Sequence, residues 1–413
     1  MKIAIVGTGI AGICMARALA NLGQNNQHSQ ISEIQDSDYY SIKNLTIFEK
    51  ANSLEHALKS SASGNPVGII HPIVSGDSFS QIWTQKGILT TIRWIKELKI
   101  DKKFFDLCGV LHLPRSEKQS LNWTNLNKSQ DSQSKFLTKN TLIDRYKDIN
   151  AETCAVWSPQ CGWLKPKEFV KAALKETKHI LGGKLKIIFN ANIDFNNLNT
   201  LHTREPDHPM HPFDLVIIAA GYGSLDLVKI NTPMKEINNK NLISKKPALE
   251  LVNGQITGMP FTEQNYRKFF KHDHILCKSG YVTPLINGHV FSGATYETVN
   301  KPHNISCEKY RIENINRLTN LMPQLKFEFN IANQRFIDRT STRCVSRDKL
   351  PVIGLIEDKY PRIYAFTALG SRGISWAPLA AESLAKEVLF KKNTKKECFL
   401  NKKLLPNRLR FGN

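Results

Sequence analysis

Six residues near the amino terminus have the types and spacing to hold a dinucleotide: Gly7-Thr8-Gly9-Ile10-Ala11-Gly12. Between a strand and a helix, this GxGxxG spacing gives each glycine a task. The first permits a tight turn, the second lets the backbone approach a pyrophosphate, and the third lets helix and strand pack closely. The helix start then offers free N–H groups and a positive dipole end to the phosphates. Gly7, Gly9, Ile10, Ala11 and Gly12 are therefore cofactor-contact candidates. An acid for the ribose hydroxyls should close the next strand, roughly 20 residues on. Glu49, followed by Lys50, has that setting, at 49 − 12 = 37 residues past Gly12. The polar stretch 24–43 accounts for the excess. A solvated strand-end glutamate is the alternative.

A second glycine-rich junction lies near the carboxyl end, at Ala368-Leu369-Gly370-Ser371-Arg372-Gly373-Ile374. Backbone N–H groups at such a helix start can stabilise negative charge developing on a reduced flavin. The first fingerprint serves NAD as well as FAD. This second junction, and a chain that returns late to complete its first domain, favour FAD.

The elements that must position these residues follow from periodicity. Lys2–Val6 reads as a strand buried on both faces. Ile13, Ala16, Leu19 and Ala20 mark a helix, with Gly23 as its stop. Leu45–Glu49, Leu185–Phe189, Asp214–Ala219 and Ile363–Thr367 read as further strands. The third ends on Ala220-Gly221, which makes Gly221 another cofactor contact. Ser60–Ser80 reads as a structured loop and 116–140 as an exposed excursion. Helices are expected over Ile82–Leu98, with Ile88, Ile92, Trp94 and Ile95 inward, over Lys167–Thr177 and over Ala377–Phe390. Residues 246–300 differ in texture, with β-type runs at hairpin spacing.

The expected architecture is α/β plus β: a Rossmann-type FAD-binding domain with an inserted antiparallel-sheet substrate domain. The FAD domain takes 1–90, 163–245 and 335–413, and the substrate domain takes 91–162 and 246–334. Polar insertions fall at 24–43, 117–140 and 196–212.

With 57 basic and 36 acidic residues, the chain carries a net +21. That field favours a polyanionic partner; a lysine-rich solvated surface is the alternative. Eight dispersed cysteines without a CxxC pair argue against a zinc or dithiol site. No metal is expected. Mostly free thiols point to a reducing, cytoplasmic setting. No run reaches the ~18 apolar residues of a membrane span.

Together these residues resemble the FAD-dependent amine and amino-acid oxidase superfamily, the fold of D-amino-acid oxidase, glycine oxidase and sarcosine oxidase. Four blocks narrow the resemblance: Ser61–Gly68, Pro159–Pro166, Arg343–Pro351 and Ala368–Pro378. With the ending Leu405–Leu409, they are similar to the oxidoreductase domain of the bifunctional tRNA 5-methylaminomethyl-2-thiouridine biosynthesis (MnmC) family. Nearly the whole chain is covered apart from the polar insertions.

The resemblance implies FAD-dependent removal of the carboxymethyl group from a 5-carboxymethylaminomethyl wobble uridine of tRNA, releasing glyoxylate. It implies Ser63, Gly64 and Asn65 on the flavin–pyrophosphate side, and Gly370, Ser371, Arg372, Gly373 and Ile374 in the flavin-facing loop. A guanidinium is the natural bidentate partner of the substrate carboxylate, and Arg343 and Arg347 are the candidates. Two positions depart from the family's pattern. His71 stands where an aromatic such as tyrosine is expected, and Asn253-Gly254-Gln255 where Arg-Gly-Gln is expected. Tyr281 and Tyr296 could face the substrate or be ordinary sheet aromatics. The basic residues from Lys386 to Arg410 could contact phosphates.

Because the first residues already form the FAD strand, a separate S-adenosylmethionine-dependent methyltransferase is the expected next enzyme. The competing expectations are an oxidase of small amines such as glycine or sarcosine, and a flavin-binding tRNA module without turnover.

Overall fold

The computed structural model describes residues 1–25, 39–74, 77–126, 134–146, 148–150, 153–193, 213–227, 248–326, 335–357, 362–390 and 399–409. The expected insertion at 196–212 lies outside them, as does most of 24–43.

A six-stranded sheet carries the amino terminus. Its order is Val352–Glu357, Arg362–Thr367, Leu215–Ile218, Lys2–Val6, Asn44–Phe48 and Leu185–Ile188. All neighbours run parallel except the first pair. Lys2–Val6 is apolar on both faces because both faces are covered. Ile3 and Ile5 join one core cluster, Ala4 and Val6 another. On the first face, helix Ile10–Asn25 packs between Gly373–Leu389 and Pro166–Leu181. Ser78–Glu97 packs on Gly373–Leu389 in turn, and hydrogen bonds fix it there. Thr91 Oγ1 donates to the Ile374 carbonyl at 2.8 Å, and Trp376 Nε1 donates to Thr84 Oγ1 at 3.0 Å. Buried Arg17 ties three of these helices together. It pairs with Glu97 at 2.9 Å and with Glu176, and lies 4.0 Å from the Trp94 ring.

A nine-stranded, mostly antiparallel sheet forms the second lobe. Its order is Glu297–Val299, Leu249–Pro260, His289–Gly293, Tyr281–Ile286, Ile275–Cys277, Val110–His112, Ala155–Ser158 and Lys135–Leu137. Ile337–Ser346 also pairs with the long strand Leu249–Pro260. Helix Glu308–Leu321 covers the outer face through Ile315, Leu318 and Leu321. A small third sheet, Gly68–Ile70, Gly162–Leu164 and Phe105–Asp106, joins the two lobes.

The structure differs from the sequence reading at several boundaries. Ten residues of the expected FAD segment 335–413, Ile337–Ser346, are paired along their length into the antiparallel sheet. The division at 90/91 falls inside helix Ser78–Glu97. The first helix runs through Gly23 to Asn25, since Gly23 packs on Ile42 rather than turning out. The stretch 116–140 contains helix Glu117–Leu126 and strand Lys135–Leu137, because Trp123 and Leu137 are buried. The loop Ser60–Ser80 holds a short strand, Gly68–Ile70, and a single turn, Ala62–Gly64.

Candidate active site

A cavity of about 960 Å³ lies between the two sheets, and nearly all the nominated residues meet there. At the amino-terminal loop, Gly7 takes φ +106°, and a Cβ on it would stand 2.6 Å from the Ala219 carbonyl oxygen. A Cβ on Gly12 would lie 1.9 Å from the Gly7 carbonyl oxygen. Gly7 therefore makes the turn, and Gly12 lets the helix close onto it without itself facing the cavity. Gly9, Ile10 and Ala11 line the wall. Ser63 Oγ accepts from Ile10 N at 2.9 Å, so the nominated serine caps the helix start from a neighbouring loop.

Glu49 sits at the end of its strand, as expected, and is held by three donors. Its Oε2 accepts from Thr8 N at 2.9 Å and Thr8 Oγ1 at 2.6 Å, and its Oε1 from Ala51 N at 3.0 Å. The carboxylate faces the cavity with lone pairs to spare. Lys50 and Gly221 line the same end. Asn65 lines the cavity and accepts from Ser341 Oγ at 3.0 Å. Gly64 does not line it; a Cβ there would meet the Leu58 carbonyl oxygen at 1.9 Å, so its role is close packing.

At the second junction, Ala368 and Gly370 both take positive φ, +57° and +55°. The chain leaves Arg362–Thr367 through a turn, Gly370–Arg372, into helix Gly373–Leu389. Gly370, Ser371, Arg372, Gly373 and Ile374 all line the cavity. Burial pulls the Arg372 guanidinium down to about 10, with Arg115 adding repulsion. These features fit a dinucleotide at one end and a flavin ring before the second helix. An acid with free lone pairs, a glycine turn that admits no Cβ and a helix start converge on one cavity.

Residues 2–387 match the family described as "FAD dependent oxidoreductase". The chain belongs to that family. This FAD-dependent oxidoreductase is 27% identical over 430 residues to a protein from Shewanella pealeana named tRNA 5-methylaminomethyl-2-thiouridine biosynthesis bifunctional protein MnmC. It is 25% identical to the protein of that name from Vibrio cholerae. The alignments cover 94% of this chain and 59% and 55% of those proteins, so the chain spans little more than half their length. Among solved structures, glycine oxidase from Geobacillus kaustophilus has a TM-score of 0.67 at 14% identity, covering 96% of this chain and 97% of that one. Fructosamine oxidase from Aspergillus fumigatus has a TM-score of 0.69 at 12% identity, covering 100% and 91%. These two establish the fold alone.

Of the two arginines nominated for a carboxylate, the oxidoreductase fold brings only one to the site. Arg343 lines the cavity, and its Nη2 donates to the Thr295 carbonyl at 3.1 Å. Burial lowers its pKa, opposed by nearby Tyr281 and Tyr296. No carboxylate among the described residues pairs with it. Arg347 is exposed, away from the cavity, on the turn that follows the strand. Four residues along from Arg343, the chain has already left the sheet face. Two acids close to it in sequence, Asp348 and Asp338, are also engaged elsewhere. Asp348 is bound by Arg408 at 2.7 Å, and Asp338 by Arg311 at 2.7 Å.

Asn253, where arginine was expected, is buried. It accepts from Thr342 Oγ1 at 2.5 Å and lies 2.6 Å from His303 Nε2. The following Gly254 matters more. A Cβ there would fall 1.7 Å from Arg343 Nη2, so the missing side chain is the space the guanidinium occupies.

Sequence reasoning left Tyr281 open and missed His112, Trp123, Arg115, Lys278 and Arg317, all of which line the cavity. Val110–His112 is too short for alternation to reveal its facing, and Trp123 lay in a stretch read as polar. His71 also lines the cavity, its Nδ1 3.1 Å from the Pro72 carbonyl oxygen, as a packed histidine would be. Of the basic tail, Arg408 is spent on Asp348 and Lys403 on Asp77, while Lys391 to Lys396 and Arg410 lie outside the described residues. No described helix is long and apolar enough to cross a membrane.

Proposed function

We propose that this oxidoreductase removes the carboxymethyl group from a 5-carboxymethylaminomethyl uridine at the tRNA wobble position. Arg343 is the observation that carries the reading: a half-buried guanidinium that lines the cavity with no carboxylate partner among the described residues. It suits a substrate carboxylate, which would take two of its N–H donors. FAD, when bound, supplies the hydride acceptor. The CH2 between the secondary amine and the carboxylate loses a hydride, and the nitrogen loses a proton. Water then adds across the resulting C=N bond. The C–N bond breaks, giving aminomethyluridine and glyoxylate. Arg343 holds the carboxylate so that the CH2 lies over the cofactor, which is orientation rather than acid–base work.

A polyanionic substrate is supported by charge at the cavity. Lys50, Arg115, Lys278, Arg317, Arg343, Lys349 and Arg372 line it, against Glu49 as the lining carboxylate among the described residues. A free amino acid needs no such excess, which weighs against a small-amine oxidase. The primary amine left on the ring would be the acceptor for a later methylation by an S-adenosylmethionine-dependent methyltransferase.

The test is nucleoside mass spectrometry of carboxymethylaminomethyl-tRNA incubated with the FAD-loaded protein. Aminomethyluridine and glyoxylate in equal amounts are expected. Turnover of sarcosine or glycine with an untouched tRNA would overturn the reading.

A further inference from the structure

The register of the antiparallel sheet puts a row of side chains on the cavity face. His112 lies opposite Cys277, Cys277 opposite Tyr281, and Tyr281 opposite Gly293. Directly opposed residues point to the same side. His112, Cys277 and Tyr281 all line the cavity. Buried polar atoms in folded proteins nearly always have partners, and an orphan calls for an explanation. Three occur on this wall: Tyr281 Oη, His112 Nε2 and Trp123 Nε1 have none among the described residues.

They fall into two groups. Tyr281 belongs with Arg343, the nominated carboxylate site, since the two interact electrostatically. His112 and Trp123 form the other corner. Trp123 shares a buried cluster with Val156, which lies directly across from His112. His112 is 7% exposed and Trp123 3%. His112 is two strands from Tyr281, about 10 Å at the usual strand spacing. A glycine unit joined through its nitrogen and one methylene to a six-membered ring spans on the order of 10 Å, at ~1.5 Å per bond.

Indole Nε1–H can only donate, so it calls for an acceptor such as a ring carbonyl. A neutral imidazole nitrogen can donate or accept, and so can meet a ring N–H or a second carbonyl. Burial, with Arg372 and Arg115 nearby, holds His112 neutral, pulled down to about 3. A uracil-type ring presents a carbonyl beside an N–H on one edge.

From this arrangement we infer that His112 and Trp123 are specificity-determining residues, hydrogen-bonding the polar edge of the pyrimidine ring that bears the amine. This rests on the tRNA reading above and assigns the corner of the cavity that would receive the base. The ring edge would satisfy two buried polar atoms that have no partner among the described residues. A substrate without the ring leaves them unpaired, which is how a polar site rejects such an analogue.

The experiment uses the FAD-loaded protein and the two halves of the substrate as separate probes. Binding of 5-aminomethyluridine and of glyoxylate is titrated through changes in the flavin absorption spectrum. His112→Phe and Trp123→Phe should each weaken aminomethyluridine about tenfold and leave glyoxylate within about twofold. His112→Asn, which keeps a polar edge, should recover most of the loss. Arg343→Lys should show the opposite pattern. Flavin content reports folding for every variant. Equal losses for both probes, no loss for aminomethyluridine, or no binding of it to the unaltered protein overturns the inference. Each of those results leaves the tRNA turnover assay to decide the oxidase reading, so the two failures are distinguishable.

Discussion

Arg343 holds its charge where burial opposes it, and among the described residues it donates to a backbone carbonyl. A site of that kind is stabilised by an incoming carboxylate. Arg343→Lys keeps the charge but loses the planar fork. KM for the carboxylate-bearing substrate should rise at least about tenfold with flavin content unchanged. Steady-state kinetics that leave KM untouched would remove Arg343 from the role. Glu49 offers a second residue-scale test. Glu49→Gln should weaken FAD about tenfold, because the amide keeps only one acceptor oxygen for Thr8, Ala51 and the ribose. Fluorescence titration of the apoprotein with FAD would read it, and unchanged affinity would argue that Glu49 serves only its strand end.

At the scale of elements, Gly254 shows how a strand makes room for function. Gly254→Ala would drive a methyl group into the Arg343 guanidinium and to 2.8 Å from the Thr295 carbonyl oxygen. We expect turnover to fall at least about a hundredfold, as misplacement of a positioning group does, while the FAD spectrum persists. Activity near the unaltered level would mean that Arg343 does not need its observed place. Histidines in the antiparallel lobe set a pH limit on the same elements. Burial pulls His112 and His274 down to about 3, so both are neutral when folded. In the unfolded chain they take protons near 6.5. Between those values the unfolded state binds more protons, so stability is full above about pH 6.5 and falls as the pH drops towards 3. Melting temperatures from pH 8 to pH 4 should show that decline, and His274→Phe should flatten it.

Much of the nucleotide-binding half was legible in the sequence for a physical reason. A buried parallel strand and a glycine turn constrain residue type at every position, so Lys2–Gly12 and Arg362–Ile374 announce themselves. The part of the substrate wall that carries His112, Cys277 and Tyr281 was less legible because its strands are three to six residues long, and their facing is set by partners far away in sequence. His112 pairs with Cys277, which no local pattern predicts. Arg347 failed as a candidate for a related reason: spacing cannot tell where a strand leaves its sheet.

Over the whole molecule, the net charge of +21 and the cationic cavity lead to one expectation. If the substrate is a polynucleotide, its affinity should fall steeply with salt, since each neutralised phosphate releases a counterion. KM for modified tRNA should rise by roughly 10-fold or more between 50 and 200 mM salt. KM for a small amine carrying the same reactive group should change little. Parallel dependence for both would place the charge excess away from substrate binding.

The order of strands also bears on how the protein is made. Of these three neighbouring strands Lys2–Val6 is made first, and Leu215–Ile218 and Arg362–Thr367 follow some two hundred and more residues later. The loop Gly370–Ile374 that closes the cavity arrives last of all. Cofactor capture is therefore a late event in biosynthesis. The glycine fingerprint is made long before the pocket that completes it, and a chain stopped short of residue 374 should emerge colourless.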